Sequence, residues 1–355
     1  MILRYELVAP ARDDMVTARR RTTAAWLVVA AVGQAFAVEA VRRIFVGTVR
    51  GQQVDTVALT GGELGHDRVA GLVAGVLDAV SVLSVAFATV AIGIIAVLRR
   101  RFLLAAVATG MVVAANVTTQ VLKALAHRPE FGVDMARAAV GNSLPSGHTT
   151  VTASVAAALV LVLPASLRGI AALAGTGLAA LTGVATLSAG WHRPSDAVAA
   201  LLVVGAWAAV AGLVLVAAGG DPPATSGGPG RRPPAFGNRV STGGGVPYGV
   251  GSPAYGTGIP SPAVPDRAAN PNRMTLLALV AVALAASVVA LLGLVVTDQV
   301  RDTPPEWLSR PRLLAAYAGG AAGITAVASG VMALVLATAS AVARPWWPGR
   351  HQVGR

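Results

Sequence analysis

Residues 142–164, NSLPSGHTTVTASVAAALVLVLP, pass from a polar loop straight into an apolar run. Residues 190–218, GWHRPSDAVAALLVVGAWAAVAGLVLVAA, make the same transition again. Both runs are continuous rather than alternating, and the second is long enough to cross roughly 30 Å of hydrocarbon; the first is at the short limit. A continuous run favours a spanning helix, because a membrane strand alternates lipid-facing and lumen-facing residues. His148 opens the first run directly after Gly147, and His192 precedes the second, two residues before Pro194. A polar ring at a membrane boundary is costly unless something uses it, so His148 and His192 mark a candidate site.

The same reading outward finds apolar runs at 24–46, 69–98, 102–125, 148–164, 169–189, 197–218, 274–297 and 313–342. The predicted fold class is therefore all-α, a polytopic membrane helix bundle of about eight spans. Composition agrees. Of 355 residues 55% are hydrophobic and 12% charged, and mean hydropathy is +0.67. Soluble domains carry about twice that share of charge. Glycine and alanine inside the runs permit close helix packing. Residues 1–23 form a polar cytoplasmic leader, and 24–46 is too long for the h-region of a cleaved signal, so it is expected as a signal anchor. Residues 219–273 turn abruptly to Pro, Gly, Ser and Arg and cannot bury enough apolar surface to offset their ordering entropy. They are expected as a disordered cytoplasmic linker between a six-span core, 24–218, and a two-span hairpin, 274–342, with a basic cytoplasmic tail at 343–355.

The net charge of +12 is no nucleic-acid signal, because the arginines cluster at span ends without interleaved aromatics. Placing Arg19, Arg20 and Arg21 inside puts Arg99–Arg101 and Arg168 inside too. Residues 47–68, 126–147 and 190–196 then lie outside, so the His148 and His192 loops share the extracytoplasmic face. Arg42 and Arg43 are the exception to this charge rule. Glu39 is expected to pair with one of them, whereas Asp78 has no evident partner. The absence of cysteine excludes disulfides and thiol chemistry. No inverted repeat suggests a transporter.

Cleaving a phosphate ester requires cations and N–H donors for a multiply charged anion, a nucleophile, and a proton for the leaving group. Lys123, the only lysine, and Arg128 supply charge. Ser146 and Gly147 stand where a helix beginning near His148 offers unpaired backbone N–H groups. His192 and Asp196 are spaced i, i+4, one helical turn apart. Asp196 would fix the His192 tautomer and leave the other ring nitrogen free to attack. His148 is then left to protonate the departing oxygen.

Lys123…Arg128-Pro129, Asn142-Ser143-Leu144-Pro145-Ser146-Gly147-His148 and His192-Arg193-Pro194-Ser195-Asp196 together resemble the type 2 phosphatidic acid phosphatase (PAP2) superfamily, over about residues 24–218. The resemblance implies a six-helix core and metal-independent phosphatase chemistry through a phosphohistidine on His192. His148 would be the general acid, Asp196 the partner of His192, and Lys123, Arg128, Ser146 and Gly147 the phosphate ligands. No metal or other cofactor is implied. Two departures stand out. Four residues rather than six separate Lys123 from Arg128, leaving Glu130 at the arginine position. The Ser-Arg pair expected at 185 and 186 is Ala185 and Thr186. Arg193 or Arg137 would have to replace the lost cation.

The expected function is hydrolysis of a lipid phosphate or diphosphate, of polyprenyl diphosphate or phosphatidic acid type, at the extracytoplasmic face of a bacterial plasma membrane. The expected partners are the lipid substrate and membrane lipids, with no nucleic acid. The alternative is a PAP2-like protein without turnover that binds lipid or acts as a scaffold.

Overall fold

The computed structural model describes residues 12–64, 101–134, 141–218 and 272–343, with positions 70, 71, 73–75, 90 and 94 between the first two stretches. Its elements are helical: α1 (Arg12–Val41), α2 (Val49–Glu63), α3 (Phe102–Leu125), α4 (Gly147–Val162), α5 (Ala165–Ser188), α6 (Pro194–Ala217), α7 (Arg273–Asp298) and α8 (Arg310–Ala343). A π-helical turn, Arg42–Val46, follows α1, and a 3₁₀ turn, Pro305–Trp307, precedes α8. Six of the described helices are long and apolar enough to cross a membrane. At about 1.5 Å per residue a helix of 24 residues spans about 36 Å, which suits α3, α5 and α6. With 16 residues, α4 is apolar but short. The chain is an all-α, polytopic membrane protein. The expected span at 69–98 and the expected linker at 219–273 lie almost wholly outside the described residues.

Local sequence sets the helix ends. Pro194 opens α6, where its fixed φ suits a first turn and its missing N–H costs nothing. Ser146 caps α4 and Thr48 caps α2, each accepting from a backbone N–H three residues on. Pro164 starts α5 one residue after the C-cap of α4, so these two helices form a tight antiparallel pair.

The centre of the bundle is α6, packed by α1, α8, α3 and α4. Alanines such as Ala153, Ala157, Ala172, Ala179, Ala197 and Ala208 are fully buried. Side chains this small let backbones approach where apolar burial between helices is worth little in lipid. In contrast α7 leaves Leu284, Leu291 and Leu292 more than 60% exposed, as a lipid-facing helix would.

Cross-links show which ends lie together. Arg20 donates to Val216 O at 2.8 Å, and Arg168, buried, donates to Ala339 O at 2.7 Å. At the other end Ser146 N donates to Asp196 O at 2.9 Å, and Arg50 makes paired 2.6 Å bonds to Asp298. Arg20 and Arg168 thus lie at the end opposite His148 and His192. Both Arg42 (2.7 Å) and Arg43 (2.6 Å) bond to Glu39, which offsets the charge of that exceptional pair. Asp78 lies outside the described residues.

Residues 47–68, expected to lie outside and not read as a span, contain α2, which buries Gln52, Asp55 and Thr56. Its polar, glycine-containing sequence carries no apolar run, so its helicity depends on what it packs against. The two helices of the expected hairpin pack into the core: α8 packs along α6, α2 and α5, and both belong to the same compact unit as α1–α6.

Candidate active site

The segment before α4 is folded by its own polar groups. Asn142 Oδ1 accepts from Leu144 N at 3.2 Å, while its amide donates to Leu144 O at 2.8 Å and to Lys123 O at 3.4 Å. This holds the loop over the last turn of α3. The Leu144–Pro145 peptide is cis. Ser143 Oγ then donates to Asp196 Oδ2 at 2.7 Å, joining the loop to the first turn of α6. Ser146 is wholly buried. Its N–H donates to Asp196 O, and its hydroxyl oxygen accepts from Thr149 Oγ1 at 3.1 Å. Gly147 and His148 follow as the first two residues of α4, half-buried and at its N-terminal end.

The second half of the site is the turn from α5 to α6. Thr186 O accepts from both Trp191 N (3.0 Å) and His192 N (3.2 Å), and Gly190 provides the left-handed step, φ 72°, that the turn needs. Asp196 is fully buried, and its Oδ2 accepts from His192 Nδ1 at 3.2 Å, Arg193 N at 3.0 Å and Ser143 Oγ. A carboxylate is an acceptor only, so Nδ1 carries the hydrogen and Nε2 of the neutral ring carries the lone pair. The expected i, i+4 pairing of His192 with Asp196 is thus present. Across the site the His148 and Trp191 rings lie 5.7 Å apart, tilted by 43°. His192 and Lys123 are both close enough to His148 for their charges to act on it.

Arg128, in the loop after α3, has both terminal nitrogens buried without a hydrogen-bond partner among the described residues. Burial, and next the nearby Arg193, hold its pKa below the usual guanidinium value, while Asp55, Asp196 and Asp134 oppose them. Arg193 is buried and donates to Asp134 Oδ2 at 2.7 Å, with its Nε unpartnered. The two arginines line one cleft with Gln52, Asp134 and Gly141. At the position where the motif has an arginine, Thr186 is buried and donates to Gly183 O at 2.9 Å. Of the two candidate replacements, Arg193 lies beside Arg128, and Arg137 falls outside the described residues.

Sequence reasoning missed Asp55, Asp134 and the role of Ser143. Ser195 donates to Asp55 from its N–H, at 3.3 Å, and from its hydroxyl. Burial, and next the charge of Asp196, push the Asp55 carboxyl up to about 7 against the Ser195 bond. Nothing in the local sequence of α2 announces a carboxylate that meets a residue 140 positions away.

Comparison with known proteins adds one finding. The family model of the PAP2 superfamily matches residues 103–218, from α3 through α6. No curated protein and no solved structure matches the chain.

Proposed function

With residues 103–218 belonging to the PAP2 superfamily, whose members are generally phosphatases, we propose that this protein hydrolyses a lipid phosphate or diphosphate without a metal. The observation that carries the reading is the Asp196 carboxylate held on His192 Nδ1. It leaves Nε2 as a nucleophile at the helix ends that also bear His148 and the unpartnered Arg128. In the first step Nε2 attacks phosphorus, the bond to the leaving oxygen breaks, and His148 gives that oxygen its proton. In the second, His148 takes a proton from water, the water oxygen attacks phosphorus, and the P–N bond breaks to release phosphate. Arg128 and Lys123 neutralise the anion, with Gly147 letting the backbone approach it.

A substrate head group at this site would leave its acyl or prenyl tail in the bilayer, because the site lies where spanning helices end. Polyprenyl diphosphate and phosphatidic acid fit that requirement alike. We take the site to be extracytoplasmic, in a bacterial plasma membrane: Arg20 and Arg168 lie at the opposite end, and Arg42, Arg43, Arg50 and Arg193 at the site end are paired with Glu39, Asp298 and Asp134. A cysteine in place of Val133, in a chain with no other thiol, is expected to react with an impermeant maleimide on intact cells. Labelling only after permeabilisation would reverse the orientation.

The rival reading, a PAP2-like lipid-binding protein or scaffold, is favoured by one observation: Thr186 stands buried where the motif has a cation. Purified protein assayed for phosphate release from a panel of lipid phosphates and diphosphates, with chelator present, separates the two. Release from at least one substrate is expected. Folded protein with no turnover on any of them would leave the scaffold reading standing.

A further inference from the structure

The turn that carries His192 is gripped by two helices that lie outside the family-matched segment. On the near side of the turn, Tyr317 of α8 shares a 2.9 Å hydrogen bond with Ser188 Oγ at the end of α5. On the far side, Asp55 of α2 receives both the N–H and the hydroxyl of Ser195. Between them Gly320 of α8 lies against Pro194 so closely that a Cβ there would stand 2.6 Å from Pro194 Cγ. The two gripping helices also meet each other. A Cβ on Gly62 of α2 would lie 3.3 Å from Tyr317 Cδ2 and 2.9 Å from Leu187 O. Asp55, Ala58 and Gly62 follow helical spacing along one face of α2, as Tyr317, Gly320 and Ile324 do along α8. Ile324 continues the contact, since a Cβ on Gly183 of α5 would meet its Cγ2 at 2.7 Å.

From this geometry we infer that Asp55, Tyr317 and Gly320 are positioning residues for His192, and that α2 and the C-terminal helices form a clamp without which the catalytic turn is misplaced. The inference rests on the phosphatase reading. None of the three residues needs to touch substrate. They fix the backbone at Ser188, Pro194 and Ser195, and so the position from which Nε2 approaches phosphorus. Reactions that need a near-attack geometry are sensitive to this: a displacement of about 1 Å costs up to about 100-fold in rate. A clamp also accounts for the close approach of α8 at Gly320, which a longer side chain would prevent.

The test uses the full chain in detergent and two readouts, one of them independent of turnover. Tyr317→Phe removes one hydroxyl and keeps the ring; Asp55→Asn replaces one of the two oxygens that accept from Ser195 and keeps the shape; Gly320→Ala adds one methyl against Pro194. Gly330→Ala, on the same helix with open space around it, is the control. The three clamp variants are expected to lower kcat about tenfold with KM within about twofold, and the control to match wild type. Modification of His192 by diethylpyrocarbonate, mapped by mass spectrometry against the exposed His127 of the same molecule, should rise several-fold in the clamp variants. Wild-type kcat and wild-type His192 reactivity in all three overturn the inference, even if Tm falls, since that is the signature of packing alone. If wild type itself turns over no lipid phosphate, the phosphatase reading fails. The His192 reactivity then still decides whether the clamp holds the turn.

Discussion

Replacing His192 with alanine is expected to abolish phosphate release, with a loss of about 10⁴-fold or more, and to abolish a phosphoenzyme trapped by alkaline quench. The size follows from the role. Without Nε2 there is no P–N bond to form, and direct attack by water would have to proceed without its activation. Asp196→Asn is expected to be severe too, at about 10²- to 10⁴-fold, by analogy with other orienting carboxylates. Asp196 Oδ2 takes three donors, from His192, Arg193 and Ser143. An amide offers one oxygen and two N–H donors, so one orientation faces an N–H toward His192 Nδ1. That drives the proton to Nε2 and blocks the attack. Ser143→Ala removes only one of the three donors and is expected to be the mildest of the set. Trapped phosphoenzyme at the wild-type level in His192→Ala would show that another residue is the nucleophile.

The residues that sequence brought forward share one property, namely that their partners are near in the chain or their pattern is long. The runs that became α3, α5, α6, α7 and α8 are continuous and apolar, and a bilayer leaves such runs little choice but helix. The His192–Asp196 pair is four residues apart, so its proximity is implied by spacing, although His192 precedes α6 and an extended Arg193 at the helix cap brings it onto Asp196. What was not legible depends on distant contacts. The helix α2 carries no apolar run, and it is stabilised through Asp55–Ser195, Arg50–Asp298 and Gln52–Pro129, contacts 77 or more positions apart. Small-residue approaches such as Gly293 to Gly319 and Gly320 to Pro194 tie the last two helices to the core. Glycines and alanines occur throughout this chain, so the particular ones that meet are visible only in three dimensions. Arg193 could be read as a replacement cation, but its 2.7 Å bond to Asp134 could not.

The second large effect concerns Arg128 and tests what the site is for. Its terminal nitrogens are buried with no acceptor among the described residues, and a buried cation is costly where the protein itself offers it no acceptor. A phosphate would supply the acceptors, two of them in the parallel geometry that a guanidinium prefers. Arg128→Ala is therefore expected to separate stability from activity. Tm should hold or rise, while kcat/KM falls about 100-fold or more, the usual loss when one charge-stabilising donor is removed. Inorganic vanadate should raise the wild-type Tm by mass action on the folded state and do so much less in Arg128→Ala. Arg193→Ala asks whether that residue replaces the cation absent at Thr186. Because it also breaks the Asp134 ion pair, the informative comparison is Arg193→Lys, which keeps the charge but loses the planar fork. If Arg193 binds phosphate, Lys should recover part of the kcat/KM lost in Ala. Wild-type kcat/KM in Arg193→Ala would mean that no replacement operates there. Wild-type kcat/KM in Arg128→Ala, with vanadate still stabilising the protein fully, would remove Arg128 from the phosphate site.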